Sequence, residues 1–177
     1  MKKFLTAFLA IAFLAFSVSV NAQDEKAAPS PFSKVEQKVG TTDVTIEYSR
    51  PGVKDRKVFG ELVPYDKMWR TGANAVTKFT INKDIKVEGQ DLAAGTYALM
   101  TTPGASVWEV HFMTYTEGSP RAYADAKPVL TAKVDAANLG DVGVESFLIF
   151  IDQLRDTSAT LMMAWDNVAV PVQIMVK

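Results

Sequence analysis

At 177 residues, with 48% hydrophobic and 22% charged side chains, the chain suffices for one domain with a real core and falls short of two. Its 19 Lys and Arg against 20 Asp and Glu leave a net charge of −1 without a basic block, which excludes a phosphate-neutralising nucleic-acid surface. The absence of cysteine excludes disulfides and thiol chemistry, and a single histidine excludes multi-histidine zinc sites.

The chain opens on Lys2-Lys3, an apolar run from Phe4 to Val20, and small residues at Val20 and Ala22. This is the layout of a secretory signal, so cleavage after Ala22 is expected; an uncleaved anchor is the alternative. Cleavage leaves 155 residues at a net charge of −3, soluble in the periplasm or secreted, and touching a membrane only through the signal. Residues 23–33, with Pro29 and Pro31 among small residues, read as a flexible linker, and the domain is expected over 34–177.

From Lys34 the dominant period is two. A first strand around Val35 to Val39 turns at Gly40 into Val44, Ile46 and Tyr48, which alternate with Thr45 and Glu47. Phe79 and Ile81 form the next strand, and Ile85 and Val87 lead into a turn at Glu88-Gly89. Tyr97 and Leu99 follow, then Trp108, Val110 and Phe112 opposite Glu109, His111 and Met113. Ser146 to Ile151 is apolar on both faces, as a central strand would be. Leu161, Met163 and Trp165 meet Val168, Val170, Val172 and Ile174 across Asp166-Asn167 as a C-terminal hairpin. Short helical turns are expected only at Pro64–Trp69, capped by Asp66, and at Tyr123–Ala126. The fold class is all-β: a single antiparallel β-sandwich, jelly-roll or immunoglobulin-like.

One stretch, Tyr48 to Asn74, is denser in special residues than a scaffold requires. Arg50-Pro51-Gly52 predicts an extended arginine followed by a type II turn. Arg50 then serves either as an anion clamp or as a tie to loop carbonyls, Glu47 or Asp66. Trp69 either stacks on a ligand or plugs the end of the sandwich. Arg70 and Asn74 either contact a ligand or satisfy turn groups. Arg56 and Tyr65 complete the candidate ligand-binding set of Arg50, Arg70, Asn74, Trp69, Tyr65 and Arg56.

Catalytic signatures are sparse. There is no G-x-S-x-G elbow and no phosphate-cradling glycine loop. His111 reads as an ordinary strand residue, with Glu109 as its nearest possible partner. Asp43, Glu47, Glu61 and Asp66 are loose candidates for a carboxylate pair. No metal or cofactor is expected.

Tyr48-Ser49-Arg50-Pro51, Arg56-Lys57-Val58-Phe59-Gly60, Leu62-Val63-Pro64-Tyr65, Trp69 to Asn74, Ala94 to Leu99 and Pro103-Gly104 occur in an order that resembles an exported bacterial family. That family is catalogued as domain of unknown function number twenty-nine eleven. Between Thr114 and Leu130 the chain departs from the family pattern, with Thr114 to Pro120 where a Trp-Gly pair would stand. The resemblance implies export and domain extent and carries no activity. The leading expectation is a non-enzymatic module binding a small anionic, carbohydrate-like or peptide ligand. A cell-envelope assembly protein acting through a protein partner is the alternative, and a carboxylate-dependent glycan hydrolase the third.

Overall fold

A computed structural model describes residues 26–177. The signal reading of residues 1–22, with cleavage after Ala22, lies outside the described residues.

Among the described residues, twelve strands form two antiparallel sheets packed face to face. The first sheet contains β1 (Phe32–Val39), β2 (Thr42–Ser49), β3 (Thr77–Ile81), β6 (Gly95–Thr102), β7 (Val107–Thr114) and β8 (Leu130–Asp135), in the order β1-β2-β3-β6-β7-β8. The second contains β4 (Ile85–Val87), β5 (Gln90–Leu92), β10 (Val144–Asp152), β11 (Ser158–Asp166) and β12 (Val168–Val176), in the order β10-β11-β12-β4-β5. A two-residue strand, β9 (Ala137–Asn138), pairs with β12. The β-sandwich expected from the alternation is the fold observed. β1 begins at Phe32, inside the stretch read as linker.

Period-two patterning places the core. Val44, Ile46 and Tyr48 of β2 point inward, as do Trp108, Val110 and Phe112 of β7 and Val170, Val172 and Ile174 of β12. Turn chemistry closes the hairpins where the sequence placed it. Glu88 and Gly89 take φ of 47° and 79° between β4 and β5, and Asp166 takes 54° before β12. A smaller apolar cluster of Val76, Ala98, Met100, Met113 and Tyr123 covers the outer face of the first sheet.

Three local expectations are corrected. Pro64–Trp69 forms bends without a helical turn, because Asp66 adopts φ 57° and its N–H donates to Pro103 O (2.9 Å) instead of opening a helix. The short 3₁₀ helix is Pro120–Tyr123, three residues before the expected start, with the Ser119 hydroxyl accepting from Arg121 N–H. Ser146 to Ile151 belongs to β10, an edge strand rather than a central one. Phe147 and Ile149 are buried, while Leu148 and Phe150 on the opposite face are half-buried. What replaces the missing neighbour strand is a set of groups from the end of β2, described next.

Candidate functional site

The connection from Arg50 to Val76 joins β2 to β3 across one end of the sandwich, and two pairing events fix its course. In the first, the chain leaving β2 runs along the edge of β10. Phe147 N–H donates to Pro51 O (2.9 Å), Val53 N–H donates to Glu145 O (2.8 Å), and Gly52 bridges Ser146. Arg50 Nε donates to Phe147 O (2.9 Å) and its Nη2 lies 3.5 Å from Ser146 O. The Tyr48 hydroxyl donates to Ile149 O (3.1 Å) and accepts from Ile149 N–H (2.9 Å). Side chains thereby stand in for a strand and blunt an otherwise open edge.

The type II turn expected at Pro51-Gly52 is not formed. Gly52 takes no positive φ and pairs with Ser146 instead; a Cβ there would meet the end of the exposed Glu145 side chain at 2.9 Å. The reversal comes later, at Lys54 and Asp55 with φ of 50° and 56°, closed by Arg56 N–H to Val53 O (3.1 Å). Arg56 folds back on this turn, donating through Nε to Val53 O and through Nη2 to Gly52 O.

The second pairing event extends the first sheet. β3 accompanies β6 only as far as Leu99, and Trp69 then takes the vacant position by exchanging two backbone hydrogen bonds with Thr101 (2.7 and 2.9 Å). The Trp69 ring stacks on Trp165 (5.6 Å, 19°) and meets Trp108 and Phe147 edge-on at 6.5 and 5.1 Å. Its Nε1–H donates to Gly72 O (3.1 Å). Asn74, at φ 57°, donates to Ser30 O and to the Ser49 hydroxyl, both at 3.2 Å. The exposed Tyr65 ring lies over Gly60, where a Cβ would come within 3.0 Å of it.

Between this connection and the 3₁₀ segment lies an open cleft of about 700 Å³, within the usual range for small-molecule sites. Arg56, Arg70 and Arg121 supply its charge, and its lining contains no Asp or Glu. Leu62, Val63, Met68, Met100, Trp69 and Trp165 supply apolar surface. Two N–H groups at the cleft residues, Arg70 Nε and Trp165 Nε1, are buried and have no hydrogen-bond partner. Unmade bonds of that kind are uncommon in folded proteins.

Of the six predicted residues, the cleft unites Arg70, Trp69 and Arg56. Arg50, Asn74 and Tyr65 are not part of its lining; Arg50 is engaged with β10 carbonyls, and Asn74 with Ser30 O and the Ser49 hydroxyl. Arg121 went unrecognised in the sequence. It reaches the cleft because Tyr123, two residues on, is buried against the first sheet and its hydroxyl accepts from Thr116 N–H and donates to Thr116 O. Nothing in the local pattern around Pro120-Arg121 signals that contact.

The acids are placed elsewhere. Asp43 pairs with Lys38, Glu47 with Lys78 (2.9 Å) and Glu61 with Lys57 (3.3 Å), while Asp66 is exposed in its turn. A second concavity of about 650 Å³ beside β4, β5 and the C-terminus carries both signs, Asp91 bonding Lys86 at 2.7 Å. Among the described residues no group of three or more His, Cys, Asp or Glu could hold a metal, and no helix is long and apolar enough to cross a membrane.

A model of the family described as "Protein of unknown function (DUF2911)" matches residues 30–174. The chain belongs to the DUF2911 family. Searches of curated proteins and of solved structures each found no match. The match takes in both pairing events of this DUF2911 chain and every residue of the cleft lining.

His111 is buried on the outer side of the first sheet, its two ring nitrogens each 2.9 Å from a threonine hydroxyl, Thr102 and Thr131. Glu109 lies 3.9 Å from Nε2 and is shared with Lys133 at 3.5 Å. Desolvation lowers the imidazole pKa below 6.5, against a smaller raising effect of Glu109. The unfolded chain therefore binds the proton more readily than the fold does. Stability from the neutral ring is fully present above about pH 6.5 and is lost as pH falls through the lowered value. Melting temperature followed from pH 8 to pH 5 should decline below pH 6.5, and His111→Gln should flatten that part of the curve.

Proposed function

We propose that this protein is a non-enzymatic, exported binding module that takes a small anionic ligand in the cleft at the loop end of the sandwich. The observation that carries this reading is three guanidinium groups, with no carboxylate, around one solvent-reaching cavity in a chain of net negative charge. Two of the three, Arg70 and Arg121, make no side-chain hydrogen bond or ion pair among the described residues; Arg70 Nε is buried, so the terminal guanidinium N–H groups are the donors left for a guest. Export rests on Lys2-Lys3 and the apolar run that follows.

The other readings gain less support. Pairing with a partner through a strand edge is discouraged at β10, whose edge is filled by Tyr48 and Arg50, and at β1, which carries Lys34, Glu36 and Lys38. Glycan hydrolysis needs two acids about 5 to 9 Å apart in a cleft, and the lining holds none.

Arg70→Met tests the proposal. A buried, unpaired N–H costs about 1–3 kcal/mol, so its removal should leave the melting temperature unchanged or raised. The thermal shift that inorganic phosphate, citrate or benzoate produces in the parent protein should disappear. If the variant melts many degrees lower and still responds to these anions, the arginine is a structural tie and the site reading fails.

A further inference from the structure

We infer that the ligand joins a head that only accepts hydrogen bonds to an apolar body, as in an organic carboxylate with a hydrocarbon or aryl tail. This deepens the proposed function and rests on the cleft being the ligand site.

The side-chain chemistry of the lining narrows the head. Guanidinium N–H groups donate and cannot accept. The lining has no Asp, Glu, Asn, Gln, His or Tyr, and Ser30 is its single hydroxyl. A sugar brings as many O–H donors as acceptors, and these side chains would leave its donors unpaired. Sugar recognition also uses an open aromatic face, whereas Trp69 is stacked on Trp165 and flanked by Trp108 and Phe147. A carboxylate presents acceptors alone, and a planar guanidinium meets it with two parallel bonds.

Apolar surface at the rim specifies the body. Leu62 and Met68 are 43% and 41% exposed although both line the cleft beside the arginines. Met100, only 4% exposed, lies beneath that surface on the side of the 3₁₀ segment. A bare inorganic anion would satisfy the cations and leave this apolar wall in water. A hydrocarbon or aryl tail would cover it, and the exposed, unbranched Met68 can adjust to its shape.

The test is a calorimetric titration of the protein with acetate, butyrate, hexanoate and octanoate, alongside octanol, inorganic phosphate and methyl glucoside, all below micellar concentrations. Affinity should rise about threefold to fourfold per added methylene until the cleft is filled. Octanol should bind at least about tenfold more weakly than octanoate, since a charge-assisted bond is lost. Met68→Gln, a change at an exposed position that does not threaten folding, should flatten the chain-length series. Acetate or phosphate binding as tightly as octanoate would overturn the apolar body while the anion site survives. Tight binding of the glucoside would overturn the acceptor-only head. Octanol matching octanoate would remove the role of the cations. No binding of any anion, with Arg70→Met indistinguishable from the parent, would overturn the site and this inference together.

Discussion

Replacing Tyr48 by phenylalanine is expected to lower the melting temperature by roughly 5–15 °C, out of proportion to the loss of one oxygen atom. The ring should stay in place, because its edge-on contact with Phe147 (5.8 Å, 88°) does not involve the hydroxyl. What disappears is a group that donates to Ile149 O and accepts from Ile149 N–H on an edge strand, beyond the reach of the Pro51–Val53 pairing at Glu145 to Phe147. Tyr48 is 2% exposed, so water does not readily replace the hydroxyl. Two buried backbone groups left unpaired cost about 1–3 kcal/mol each, which for a domain of this size gives the stated shift. Amide exchange at Ile149 should accelerate selectively in the variant. A melting temperature within a degree of the parent, with unchanged exchange, would show that β10 does not depend on this clasp.

Trp69→Ala should cost more still, about 3–5 kcal/mol and 10 °C or more. Its ring is one of five, with Phe59, Trp108, Phe147 and Trp165, that close the end of the sandwich from the β2–β3 connection and strands β7, β10 and β11. Aromatic pairs in such offset and edge-on arrangements contribute beyond their buried area. The substitution also leaves Gly72 O without its indole donor. Loss of the stacked Trp69–Trp165 pair should weaken the near-ultraviolet circular dichroism of the folded protein. A residue acting only as a ligand platform would behave oppositely, losing binding while the melting temperature held. Trp69→Phe, which keeps a ring in the cluster, should recover part of the stability and none of the bond to Gly72.

The two substitutions bear on how much of the molecule is legible before it folds. Alternation in Val44-Thr45-Ile46-Glu47-Tyr48 and in Trp108 to Met113 was sufficient to place strands and to say which face is buried. The same rule misplaced Ser146 to Ile151, because an apolar run looks alike whether its neighbour is another strand or a tyrosine and an arginine. Gly52 illustrates a related confusion. Proline followed by glycine suggests a positive φ, yet Gly52 takes none and instead bridges Ser146, which is far away in the chain. Trp69 was open to two readings, as plug or platform, and the aromatic rings around it were invisible until Trp108, Phe147 and Trp165 met it.

The arginines divide in the same way. Residue type alone marked Arg50, Arg56 and Arg70 as directed donors, and all three lie on the connection between β2 and β3. Which of them faces a carbonyl and which an open cleft depended on the path of β10, and Arg121 joined the set only through the docking of Tyr123. The linear chain determined the all-β class, the absence of thiol chemistry and the stretch in which chemistry is concentrated, because period, composition and turn residues act locally. Tertiary structure alone decided which cations share a cavity and which indole and guanidinium N–H groups remain unpaired. Those properties belong to the space between segments distant in sequence, and no local pattern encodes that space.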